Sequence, residues 1–175
     1  MTTETIAKTS TPQRLDPSVL ARVLQEGYGP GAWHGADLHA ALTDASPSAA
    51  FWRPAPGRHN VAEIALHHAW CVRGAIARLS GNEPGPFPLE GSDWFELTDT
   101  GPLDWPDILG AVEEHQRRLA AVVTGIGAGT IASPLPVGEQ FDLVLGVTCH
   151  AIYHAGQVQL VKVLGATRPN PAPVA

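Results

Sequence analysis

The stretch EQFDLVLGVTCHAIYHAGQVQLVKVLG, residues 139–165, decides the fold. It has no proline, and its apolar side chains recur at helical spacing. The line through Leu143, Val147, His150, His154, Val158 and Val161 forms one face, apolar but for two histidines. This predicts one long helix, opening after Gly138, running from about Glu139 to Leu164 and closing at Gly165. A helix this apolar needs similar helices to cover it.

Three further helical segments supply that cover. The first opens at Asp16-Pro17, a cap residue followed by a proline suited to the first helical position. It breaks at GYGPG and resumes in GADLHAALTDA, where Leu38, Ala41, Leu42 and Ala45 share a face. FWRPAPGRH, residues 51–59, is punctuated by Pro54, Pro56 and Gly57 and predicts a loop. The second helix opens at Asn60, with Glu63 placed to close a capping box, and stops at Gly81. Its stripe is Val61, Ile64, Ala65, Val72, Ala75, Ile76 and Leu79. The third starts near Asp104, carries Pro106 in its first turn and fades in GAGT. Between the second and third lies NEPGPFPLEGSDWFELTDTGPLDW, a long loop whose Phe87, Trp94, Phe95 and Trp105 predict packing onto the helices. No segment alternates with period two between hairpin turns. The expected architecture is all-α, an antiparallel four-helix bundle with a long crossover loop.

A chain of 175 residues suits one domain and can bury a core without disulfides. We expect a flexible N-terminus over 1–14, a helical domain over 15–165 and a flexible Pro-rich tail over 166–175. Net charge is −6 with no basic run, which argues against nucleic acid as a main partner. No stretch reaches the roughly 18 apolar residues of a spanning helix, and MTTETIAKTSTPQR lacks the apolar core of a signal peptide. Cys71 and Cys149 sit in apolar stretches, which predicts buried thiols in a reducing compartment and leaves a disulfide between them open. The expectation is a cytoplasmic protein off the membrane.

His150 and His154 are four apart, so a helix sets both imidazoles on one face, about 5–6 Å apart at Cβ. Two such groups suit cis ligation of one metal ion. The spacing alone is weak, because 8 histidines scattered over 175 positions give roughly 0.4 such pairs. A third ligand should come from a facing helix, where His67 and His68 are adjacent. Periodicity slightly favours His68, which falls on the apolar stripe, while His67 lines up with Glu63 and Cys71. Glu63 reads as the helix cap or as a carboxylate supporting His67. Cys71 reads as a small core residue or as a soft fourth ligand. His34 and His39 lie in or beside the first helix, His59 precedes the second, and His115 sits among charged residues and reads as solvated. Trp33 and Trp52 read as core or dimer-interface aromatics.

Three stretches carry a family likeness: GPGAWHG (29–35), RPAPGRHNVAEIALHHAW (53–70) and CHAIYHAGQVQLVKVLG (149–165). With them the chain resembles the DinB/YfiT-like superfamily of metal-dependent four-helix proteins. In the middle stretch, Glu63-Ile64-Ala65-Leu66-His67 is similar to the family pattern ending in the first metal ligand. The resemblance therefore implies the ligand set His67, His150 and His154, with His68 at a position usually apolar. It implies one divalent ion, zinc or nickel most often, with water in open positions, and a homodimer. Relatives include transferases and isomerases that use low-molecular-weight thiols.

Three neutral imidazoles and open positions describe a catalytic rather than a closed structural site. The expected function is a metal-dependent enzyme, a thiol S-transferase or hydrolase, that activates a thiol or water against a small electrophilic substrate. The alternative is a non-enzymatic, stress-related metal- or ligand-binding protein. A pocket walled by Trp70, Tyr153 and the 82–105 loop is expected. Glu63 and Gln157 lie near the ligands in sequence, but neither is marked as a general base.

Overall fold

A computed structural model describes residues 17–167, and their regular elements are helices with no strand among the described residues. They are α1 (Pro17–Gly27), α2 (Leu38–Thr43), α3 (Pro47–Ala50), α4 (Val61–Ser80), α5 (Trp105–Ala128) and α6 (Val137–Ala166). The expected cap at Asp16, the 1–14 segment and the tail beyond Thr167 lie outside the described residues.

The helix ends follow their local chemistry. Asn60 accepts from Glu63 N at 2.8 Å and the Glu63 carboxylate accepts from Asn60 N at 3.3 Å, so two orphan N–H groups of α4 are satisfied reciprocally. Asp104 and Asp107 build the same box at the start of α5. Gly81 and Gly129 end α4 and α5 at φ 72° and 74°, in the left-handed region that disfavours a side chain. Two expectations change. α3 interrupts the region between the first helices, started by Ser46 and Pro47, and a single turn is too short to show periodicity. α6 does not close at Gly165 but runs through it to Ala166. That glycine serves packing, since a Cβ there would lie 3.0 Å from Trp52 Cε3. Trp52 therefore lies against α6, whereas Trp33 is 92% exposed and is no core residue.

α4 packs on α5 and α6, and α1 packs on the same two helices. The core has two parts. One joins the N-terminal half of α4 (Val61 to Ala69) to Trp105, Ile108 and Val112 of α5 and to Ala151, Ala155, Val158 and Val161 of α6. The other joins Val72, Ala75, Ile76 and Leu79 to Leu119 and Val123 of α5 and to Val144 and Val147 of α6. Five buried polar residues, His67, His68, His115, Thr148 and His154, lie near the middles of α4, α5 and α6.

The segment between α4 and α5 is tied down along its length. Phe87 and Phe95 pack with Trp70 in an aromatic cluster, with ring centroids 5.1–5.8 Å apart. Leu97 is buried, and its backbone gives N–H to Glu63 at 3.0 Å and takes one from Asn60 at 2.9 Å. Trp105 is buried and donates its indole N–H to Ala45 O at 2.9 Å. Among the described residues no helix is long and apolar enough to cross a membrane.

Candidate metal centre

α4 delivers His67 and α6 delivers His150 and His154 to one point. His150 Nε2 lies 3.1 Å from His67 Nε2 and 3.0 Å from His154 Nε2. The three donor atoms are all within 4.8 Å of one another. At a metal–nitrogen distance of 2.0–2.1 Å, two cis nitrogens sit about 3.0 Å apart in an octahedron and about 3.4 Å apart in a tetrahedron. The spacing of these nitrogens therefore suits a single ion between them.

The outward nitrogens are held as donors. His67 Nδ1 faces two oxygens of Asp93, the backbone carbonyl at 3.0 Å and the carboxylate at 3.1 Å. His154 Nδ1 donates to Gln157 Oε1 at 2.6 Å. With the proton fixed at Nδ1, each ring presents a lone pair at Nε2. Burial, reinforced by neighbouring His150, pushes His154 down to about 4. Burial also lowers His150, helped by His67. Both are therefore neutral near pH 7, the state in which imidazole binds a cation.

Trp94 covers the cluster from the α4–α5 segment. Its ring stacks on His67 at 3.9 Å and on His59 at 3.7 Å, nearly parallel to both. Tyr153 is 64% exposed with its ring 5.4 Å from His154. Trp70, expected on the same wall, is engaged with Phe87, Phe95 and the Arg73 guanidinium. Cys71 Sγ lies 3.8 Å from His67 Nε2, and Cys71, His67 and Asp93 form a second donor group. Burial, with the Asp93 charge, pushes the Cys71 thiol up to about 11, so it is protonated at neutral pH. Cys71 is half-buried, Cys149 is exposed, and both are free thiols, which corrects the expectation of two buried cysteines.

Glu63 is 1% exposed and serves the fold. It accepts from Arg53, from His59 at 3.0 Å and from the Asn60 and Leu97 backbone, so its bonds hold the α4 N-terminus and the neighbouring segment rather than His67. His115 is buried, not solvated: Nδ1 donates to Ala111 O at 2.7 Å, while Nε2 has no partner among the described residues. The remaining histidines stand apart. His34 bonds Glu26 O at 2.7 Å and His39 packs edge-on to Tyr28. Local sequence did not mark Asp93, and it marked Trp94 only as an aromatic packing onto the helices, not as a ring over His67.

The family model described as the DinB superfamily matches residues 32–158, more than half of the chain and a span that includes all three histidines. No curated protein and no solved structure matches the chain.

Proposed function

The chain belongs to the DinB superfamily, and from that premise we propose that it is a metal-dependent enzyme whose ion is held by His67, His150 and His154. The carrying observation is the convergence of the Nε2 atoms of His67 and His154 on His150 Nε2 at 3.1 and 3.0 Å, the first two with their outer N–H groups already engaged. A bound divalent ion, zinc or nickel, would supply Lewis acidity that lowers the pKa of a thiol or water in an open position. The chain's own groups do the rest. Asp93 and Gln157 set the tautomers of His67 and His154. Trp94 shields one side of the cluster with an apolar ring. The exposed Tyr153 edge marks the open approach, where a small electrophile and a low-molecular-weight thiol would meet. Thiol S-transfer is favoured over hydrolysis on the family resemblance.

In this reading the four long helices form an antiparallel bundle in which α1 and α6 run against α4 and α5. Residues 82–104 are the long crossover that lets α4 and α5 run the same way. A homodimer would use the outward face of α6, where Leu145, Leu160 and Val163 are exposed. Nothing lies within 4 Å of a Cβ built at Gly146 or Gly156, which leaves room for a second helix.

Elemental analysis of never-chelated protein should find about one divalent ion per chain. His150→Ala should lose most of the affinity, and His67→Ala should lose more than His68→Ala. To test turnover, metal-loaded protein is incubated with a thiol panel and a generic electrophile beside the His154→Ala form. A rate carried by the parent and lost in the variant supports the enzyme. Trp94 lying flat over His67 favours one second reading, a metal-binding protein without turnover, which equal rates in the two forms would support.

A further inference from the structure

His68 has no role in the site described so far, yet it is fully buried. Its Nδ1 lies 3.2 Å from His150 Nδ1, and its Nε2 abuts the side-chain amide nitrogen of Gln116 on α5. The His68 and His150 rings lie 20° from parallel. Gln116 lines a cavity of about 450 Å³ that also touches Tyr28 and Glu113. A line of polar contacts thus runs from that cavity through Gln116, His68 and His150 into the cluster of Nε2 atoms.

The direction of this line is constrained at every link. A neutral imidazole has one N–H and one lone pair, so whichever way one ring donates, the next must follow. His68 is fully buried with no acidic partner against its nitrogens, so the chain is built from neutral rings. With the Gln116 amide N–H pointing at His68 Nε2, His68 donates from Nδ1 to His150 Nδ1. His150 then carries its proton at Nε2, facing the lone pairs of His67 and His154. Every group is satisfied without an ion. Ligation needs the opposite arrangement: a lone pair at His150 Nε2, a proton at His150 Nδ1, a lone pair at His68 Nδ1 and a proton at His68 Nε2. Gln116 must then present its amide oxygen, a half-turn about its last bond.

We propose that His68 and Gln116 are positioning residues that form a reversible hydrogen-bond chain, holding His150 in one tautomer without metal and in the other with it. The protons balance. His150 releases one from Nε2 to solvent and receives the His68 Nδ1 proton at its own Nδ1. His68 takes one from solvent at Nε2, and each ring stays neutral. The chain rests on the reading that His67, His150 and His154 hold the ion.

The test uses the full chain labelled with ¹⁵N-histidine, in long-range ¹⁵N–¹H correlation spectra without metal and with equimolar zinc. The expected result is His68 protonated at Nδ1 without zinc and at Nε2 with it, although His68 is not a ligand. A His68 that keeps one tautomer while the three ligand histidines respond to zinc overturns the chain and leaves the metal site standing. If no ligand signal moves, the metal site itself fails and the chain falls with it. Affinity gives a second readout. His68→Phe should weaken zinc binding about 10–100-fold, as loss of a partner behind a ligand does. His68→Asn, whose amide can still pair with His150 Nδ1, should recover most of that loss. Equal losses in the two would mean that His68 only fills space. Should His68→Phe fail to fold, Gln116→Met at the half-buried end of the chain is expected to leave His68 a mixture of tautomers in both states, and an unchanged switch would refute the proposal.

Discussion

Replacing Glu63 by Ala separates the scaffold from the metal centre. The carboxylate accepts from Asn60 N, Leu97 N, Arg53 and His59 while being 1% exposed. The Asn60 side-chain cap on the residue-63 N–H survives, and loss of the other half of the box, the acceptor for Asn60 N–H, costs about 0.5–2 kcal/mol. The Leu97 N–H, buried with its residue, is left without an acceptor at about 1–3 kcal/mol. Arg53 is 30% exposed and rehydrates, so its lost ion pair adds little. The total is about 2–5 kcal/mol. At about 2–4 °C per kcal/mol for a chain of this size, Tm should fall by roughly 5–20 °C. Urea and thermal unfolding of the metal-free forms measure this. Glu63→Gln keeps an oxygen for Leu97 N–H and should lose clearly less. Metal stoichiometry of the folded Glu63→Ala protein should stay at the parent value. A variant as stable as the parent but unable to hold metal would refute the reasoning and make Glu63 part of the site. The pH dependence has a fixed sign. Burial raises the Glu63 pKa, but hydrogen bonds from Arg53, Leu97 N and His59 outweigh it and hold the carboxyl below its usual range. Its contribution is thus present above about pH 4.5 and lost as pH falls through the folded value.

Metal-free protein should lose stability on acidification before the carboxylates titrate. His68, His115, His150 and His154 all have depressed pKa values, chiefly through burial, so the unfolded chain binds protons first as pH drops below about 6.5. Urea midpoints at pH 7 and pH 5 in chelator should differ, and equal midpoints would contradict the burial of these rings. Gly27→Ala should destabilise by about 1–3 kcal/mol despite the better helix former, because the new Cβ meets Ala151 Cβ and Thr148 O at 3.0 Å where α1 crosses α6. A more stable variant in chemical denaturation would show that the crossing relaxes freely. His115→Phe should be neutral or stabilising, since it removes a buried nitrogen without a partner from beside Phe87. A loss above about 2 kcal/mol would reveal a bond to His115 that the fold depends on.

The helices were legible where a signal was local. Asn60 with Glu63, and Asp104 with Pro106, announced α4 and α5 because capping is a matter of three or four consecutive residues. α3 escaped because four residues leave no periodicity to detect. Gly165 misled because a glycine near a helix end resembles a stop, and its reason for being small, Trp52, is remote in sequence. His115 was misjudged from its charged neighbours, although Ile108, Val112, Leu119 and Val123 place it squarely on the buried stripe of α5. At the site, the pair on α6 was visible as a spacing and the choice of His67 required the family pattern. Asp93 and Gln116 could not be read. The Asp93 contact is partly through backbone at the left-handed φ of 63°, and Gln116 reaches His68 from a third helix.

Trp94 lies between His59 and His67 within 4 Å of both rings. An imidazolium draws electrons from an excited indole, whereas a neutral imidazole does so far less. The stacking therefore makes Trp94 an intrinsic optical gauge of the histidine cluster, because a charge brought to the cluster lies against its ring. The other indoles lie elsewhere: Trp105 is bonded to Ala45, Trp70 sits among phenylalanines, Trp52 lies on α6 and Trp33 is in solvent. Among the described residues Trp94 is the indole with ring contacts to histidines, so its emission is the one placed to report on the cluster without a label.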